Sequence, residues 1–346
     1  MPSLAVLILP LYLFAAAAFP ETVILRHEDM PKSINSSIDI VQIKSCAKRF
    51  VSENGKQDLD FFRKIYLPRC LSGTLDLDAQ SEEYGDGKTP LHHAAENGFS
   101  SDVKTILEKD SSIVDSKTND GFTALHLAAK FGHNDVVKVL LSYGAKIYIP
   151  SITGQTALHY AASTGNREGA ELLLNNSANI EAKDKTGYTP LHLASLNDYP
   201  MVVQLLISKQ ANIDAMSNTK RTPLHLAALR GNIGCVNLLL SHKAEIEASD
   251  RDGLTALHLA SFNGHTKVVQ LLLSQGAAID SKDKMGRTPL HYSAMTGQEN
   301  VTWLLITNGA NRKAKDLNND TPLILAIMNS QEVTVKILVE SGLSPT

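Results

Sequence analysis

Twelve histidines, three cysteines and 36 acidic residues supply the side chains for a metal centre or an acid–base pair. Their spacing points elsewhere. Seven of the histidines, His92, His126, His159, His192, His225, His258 and His291, each stand three residues after a threonine, inside one recurring phrase such as Thr255-Ala256-Leu257-His258. Metal ligands gather three or four around a point, whereas these recur once per fixed interval. A histidine so placed can bond back to the threonine hydroxyl and across to neighbouring backbone, satisfying polar groups that burial would leave unpaired. Thr255, His258, His225 and His192 are therefore read as structural, as are His133 and His265 at a later Gly-His or His-bearing loop. Cys235, between Gly234 and Val236, reads as a small core residue with no partner. No Ser-His-Asp set, Gly-rich phosphate loop, HExxH or paired-carboxylate motif stands out. The expectation is no catalytic residue, no metal and no cofactor.

The elements that position these histidines repeat with them. The phrase occurs eight times, first at an interval of 34 residues and then of 33, dividing the chain into units 84–117, 118–150, 151–183, 184–216, 217–249, 250–282, 283–315 and 316–346. In the unit from Asp250, a turn containing Gly253 precedes Thr255, whose hydroxyl suits a helix N-cap. Where Pro follows the threonine it occupies the first helical position, where its missing N–H costs nothing. Leu257, Leu259 and Ala260 face inward, Asn263-Gly264-His265 ends the first helix, and Val268, Val269, Leu271, Leu272 and Leu273 give a second helix its apolar face. Gly276 then provides a left-handed stop. Neither helix could bury its apolar face alone, and stacking against the next copy solves that.

This turn-helix-loop-helix unit, with its Thr-Pro-Leu-His-x-Ala-Ala signature and its Gly-His, Val-Val, Leu-Leu and Gly-Ala landmarks, resembles the ankyrin-repeat family over residues 84–346. The resemblance implies an all-α curved solenoid with β-turn fingers along one edge. It also implies a binding surface made of fingertips and first helices, protein–protein recognition, and no catalysis. The segment before residue 84 resembles nothing nameable.

That segment opens with Leu4 to Ala18, an uncharged apolar block ending in small residues, which predicts a signal peptide over 1–18 with cleavage near Ala18. A signal anchor or a buried helix is the alternative. Residues 19–83 are expected to form a small helical cap, with Ile40, Val41, Ile43, Cys46 and Phe50 on one helix and Leu59, Phe61, Phe62, Ile65 and Tyr66 on another. Export would oxidise Cys46 and Cys70 to a disulfide and would make Asn35, in an Asn-Ser-Ser sequon, the best glycosylation acceptor. No later apolar run reaches spanning length, so no membrane span is expected in the mature chain. Thirty-three basic against 36 acidic residues give a net charge of -3, which argues against a nucleic-acid partner.

A protein partner is expected instead. Seven places after the threonine the units carry Glu96, Lys130, Ser163, Leu196, Leu229, Phe262, Met295 and Met328, so five consecutive units present an apolar side chain at the end of the first helix. Flanked by Asn197, Arg230, Asn263, Thr296 and Asn329, this forms a stripe with a polar rim. The candidate partner-binding residues are Leu196, Leu229, Arg230, Phe262, Met295, Met328 and Phe131. Basic residues near the turns, among them Lys183, Lys185, Lys220, Lys282, Lys284 and Lys315, are interspersed with Asp184, Asp250, Asp252, Asp283 and Asp316 and read as a mixed-charge solvated edge. In the last unit Ile324 replaces the signature His and Ile327 an Ala, making that end a candidate for self-association. The reading is an exported, non-enzymatic binding scaffold; the alternatives are a secreted toxin or host-directed effector, and a cytosolic scaffold whose start mimics a signal.

Overall fold

The computed structural model describes residues 86–340. The signal segment, the cap, Cys46, Cys70 and Asn35 lie outside the described residues. Within them the chain is all helical, without strands. First helices of successive units are α1 (Pro90–Glu96), α3 (Ala124–Phe131), α5 (Ala157–Ser163), α7 (Pro190–Leu196), α9 (Pro223–Arg230), α11 (Ala256–Phe262), α13 (Pro289–Met295) and α15 (Pro322–Met328). Second helices are α2 (Ser100–Lys109), α4 (Asn134–Ser142), α6 (Arg167–Asn175), α8 (Pro200–Ser208), α10 (Ile233–Ser241), α12 (Thr266–Ser274), α14 (Glu299–Thr307) and α16 (Glu332–Glu340). The extra residue of the first unit falls where a 3-10 turn, Ser111–Asp115, follows α2, held by the Asp110 carboxylate accepting the Ser112 N–H at 2.8 Å.

Each first helix starts from an extended threonine, Thr255 having φ −91° and ψ 171°. The histidine on the first turn is clamped from both sides. His258 Nδ1 accepts the Thr255 backbone N–H at 3.1 Å and lies 2.9 Å from its hydroxyl. Because Nδ1 accepts an N–H, the ring proton sits on Nε2, which donates to the Arg287 carbonyl of the next unit at 3.1 Å. The same forward bond runs from His126 to Gln155, His159 to Tyr188, His192 to Arg221, His225 to Leu254 and His291 to Asp320. A second set of bonds runs backward. Carbonyls at the end of one first helix accept from the loop of the next unit: Glu96 from His133 Nε2 at 2.9 Å, Ala129 from Asn166 at 3.1 Å, Leu196 from Asn232 at 3.0 Å, and Leu229 from His265 Nε2 at 3.0 Å. These are carbonyls a helix end would otherwise leave open.

Between these polar ties the interface is apolar and close. Leu224, Leu257 and Leu290 are almost fully buried, as are the small Ala227, Ala228, Ala260 and Ala294 that let first helices approach. Each buried leucine contributes about 1.5–3 kcal/mol. First helices pack on first helices more closely than second helices on second helices, so the array curves with its first helices inside. The buried apolar side chains fall into two interleaved clusters, one running from Leu91 to Leu205 and the other from Ala162 to Leu338.

Burial depresses the histidine pKa values, to about 4 for His92, His126 and His192, and downward for His159, His225, His258 and His291. A group held neutral in the fold gives stability that is complete above its unfolded value near 6.5 and is lost as pH falls toward the folded value. We expect stability toward urea to be flat above about pH 6.5 and to fall as pH drops below it, with His92, His126 and His192 each contributing a slope of up to roughly 1.4 kcal/mol per pH unit between about pH 6.5 and 4 and the other four clamped rings adding in the same direction. An unchanged midpoint across that window would contradict neutral, clamped rings. Thr255→Ala should cost about 1 kcal/mol at neutral pH.

Candidate protein-binding surface

The residues of the apolar stripe stand at equivalent places on consecutive first helices. Leu196, Phe262, Met295 and Met328 are the last residues of α7, α11, α13 and α15, and Leu229 is the last but one of α9, followed by the exposed Arg230. Exposure along the row is uneven. Leu196, Leu229 and Met295 are half-buried, Phe262 is 41% exposed and Met328 68%. The Phe262 ring meets Tyr292 of the next unit edge-on, centroids 6.0 Å apart, and Tyr292 packs the same way on His258 at 5.7 Å. Tyr292 in turn donates its hydroxyl to the Asp283 carboxylate, which with burial raises its pKa. Phe262 is thus held by a ring that is itself hydrogen-bonded. Phe131 ends α3, 47% exposed, with the Lys130 ammonium 5.3 Å from its ring centre. It lies on the polar half of the row, two units before Leu196, and is not continuous with the stripe.

The fingers are closed turns in which a start residue pairs with the backbone three and four places on. Asp250 O accepts the Gly253 N–H at 3.1 Å, while its N–H donates to Leu254 at 2.9 Å. Adjacent fingers are tied edge to edge, with the N–H of Lys185, Asn218, Arg251 and Lys284 donating to Thr153, Thr186, Thr219 and Asp252 at 2.8–3.0 Å. The sequence expectation of a mixed-charge solvated edge is corrected, for its aspartates, by the turn geometry. Asp184, Asp250, Asp283 and Asp316 are buried, each with Oδ1 accepting two N–H groups of its own turn. Their Oδ2 atoms accept from Gln155, Arg221, Tyr292 and Arg287 respectively. Burial opposes charge on Asp184 and Asp316, but the donated hydrogen bonds outweigh it and hold both below the usual carboxylate range. Of the aspartates named above, only Asp252 is exposed.

A family model described as ankyrin repeats matches residues 49–151, 148–217, 202–283 and 275–346. The chain belongs to the ankyrin-repeat family. No curated protein matches it. The ankyrin match begins at residue 49, inside the segment that the sequence reading set apart as a cap. Ankyrin repeats are in general protein-interaction scaffolds, which fits a surface built from repeated helix ends and turns. Among the described residues no group of three His, Cys, Asp or Glu could hold a metal ion, and no helix is long and apolar enough to cross a membrane.

Three features of this ankyrin array were not read from the sequence. Cys235 does have a partner: its thiol donates to the Asp198 carboxylate at 3.6 Å, and burial together with that charge pushes its pKa up to about 12. Trp303 on α14 is 58% exposed where the other second helices carry Lys104, Lys138, Glu171, Gln204, Asn237, Gln270 and Lys336. Comparing equivalent positions unit by unit would have found it. Lys220 has φ +59° and Asn319 φ +66°, where five other fingers place Gly121, Gly154, Gly187, Gly253 and Gly286. A Cβ at Gly253 would come within 2.8 Å of the Lys284 backbone nitrogen, and one at Gly187 within 2.6 Å of that of Asn218. Lys220→Gly should therefore stabilise the array by about 0.5–1 kcal/mol, and Gly253→Lys should destabilise it by about 1–2 kcal/mol. Urea unfolding at neutral pH checks both, and equal midpoints for all three proteins would remove the strain argument.

Proposed function

We propose that this array is a rigid protein-binding scaffold whose partner lies along the ends of the first helices and the fingers. The observation that carries the reading is the row Leu196, Leu229, Phe262, Met295, Met328, apolar at equivalent positions in five consecutive units and exposed most at Phe262 and Met328. A position at a helix end beside solvent could have been polar, as Glu96, Lys130 and Ser163 are in the first three units. Apolar contact centres with polar rims are what protein interfaces use, and methionine adapts to irregular partners. Affinity in such a scaffold is spread over several units, since each supplies one or two side chains on a fixed frame. The apolar block from Leu4 to Ala18 supports export of the protein, so the partner sought is one met outside the cell or across a membrane.

One observation favours a second occupant for the end of the stack. Ile324 and Ile327 take the places that His and Ala or Ser fill in every earlier unit, where the next repeat buries them, and here Ile327 is 58% exposed. That end supports association with a second copy in addition to the partner.

Replacing Leu229, Phe262 and Met295 together by Ser leaves helical content unchanged, because none is in the buried core, and should remove the partner from a cross-linked pull-down by the secreted protein. A full set of captured partners from the triple variant, with intact circular dichroism, would overturn the stripe as the binding surface.

A further inference from the structure

The fingertips carry a charge pattern that turn geometry, rather than composition, creates. The first central residues of successive turns are Ile152, Lys185, Asn218, Arg251, Lys284 and Leu317, a basic centre with an apolar residue at either end. The aspartates that open the fingers accept from their own turns through Oδ1 and from Gln155, Arg221, Tyr292 and Arg287 through Oδ2, so they form no ion pair with the exposed cations at the tips. Lys183, Lys185, Lys220, Arg251, Lys282 and Lys284 are all exposed, and none forms an ion pair among the described residues. Several are positioned by backbone instead of by acid. Lys183 donates to the Met216 carbonyl at 2.9 Å, and Arg251 Nη2 donates to the Asn218 carbonyl at 2.9 Å, leaving the rest of the guanidinium fork outward. Asn218 likewise donates to Lys185 O at 2.9 Å, so neighbouring tips are locked in register. Lys220 sits at the centre of this edge in a left-handed backbone conformation, as Asn319 does in the last finger, at the place glycine fills in the fingers at 121, 154, 187, 253 and 286.

We infer that the finger edge from Ile152 to Leu317 is a docking track for an extended acidic peptide segment with interspersed apolar side chains. The inference rests on the scaffold reading above and names the chemistry of what its finger side receives. Carboxylates of the segment pair with Lys185, Arg251 and Lys284, and its apolar residues meet Ile152, Met216, Met285 and Leu317, which are exposed on the same turns. That alternation separates a peptide from the other polyanions. Single-stranded nucleic acid needs exposed rings on which bases stack, and the only ring on the turns between residues 183 and 287 is Tyr188, which is half-buried and stacked on His192 at 5.3 Å. A sulfated polysaccharide has no apolar groups to match the methionines. The exposed Asp252 sits beside Arg251 and sets a limit on how many carboxylates the centre accepts.

The test uses the full chain and a fluorescein-labelled peptide of repeating Asp-Leu-Glu, read by fluorescence anisotropy. Binding should weaken with added salt and fall at least about tenfold in the variant Lys185→Glu, Arg251→Glu, Lys284→Glu. It should be retained when the same charge change is made on second helices, at Lys109, Lys267 and Lys336. Absence of peptide binding, equal affinity for the fingertip variant and the native chain, or tighter binding of heparin or an oligothymidylate would each overturn the inference. The stripe variant Leu229→Ser, Phe262→Ser, Met295→Ser separates the two readings. It should still bind the peptide; if it does not, the segment docks on the helix ends and the fingertip track is wrong. A pull-down that still depends on the stripe while the peptide fails to bind leaves the scaffold standing without the track.

Discussion

One imidazole in each of the first seven units, denied a proton on Nδ1, is the constraint on which the rest of the array depends. The threonine N–H occupies that nitrogen, so the other must carry the hydrogen and must find an acceptor, and the acceptor is a carbonyl about one repeat further on. A local capping interaction is thereby converted into a link between units. The backward bonds, from the loop of one unit to the last carbonyls of the previous first helix, fix the other end of the same helix. A first helix of seven or eight residues, too short to be stable alone, is thus tied to its successor at both ends and packed along its length.

The fingers follow from this arrangement. The carbonyl that accepts from each histidine belongs to the last finger residue before the threonine, so the base of every turn is anchored and only its tip is free to vary. The aspartates at the finger starts then organise the tip by accepting its N–H groups, which takes negative charge out of solvent. Specificity can be written at the tips and helix ends without disturbing the stack, because framework and surface use different residues of the same unit.

That division also explains what the sequence made legible. Thr, Leu, His and Gly at fixed intervals define the units, the helices and the order of contacts, since each recurs for a local reason that is the same from unit to unit, the His in seven of the eight. The buried aspartates were misread because their orientation depends on turn N–H groups, not on neighbouring charges in the sequence. The Cys235–Asp198 contact joins residues on different units, and Asp198 reaches it from a left-handed backbone conformation that no residue pattern announces. The stripe was visible as a row of residue types, but its uneven exposure depends on what the next unit sets beside each side chain. Tyr292 stands against Phe262, while no described unit follows Met328.

The two buried clusters meet near the third and fourth units, around Ala162, Leu174 and Leu205. The same boundary separates the polar helix ends, Glu96, Lys130 and Ser163, from the apolar ones that begin at Leu196. The surface therefore changes character at one place along the chain, while first-helix packing continues across it. A partner seated on the apolar half would brace the units it spans and leave the first three at their own stability, so the unbound units would be the first to fray or stretch.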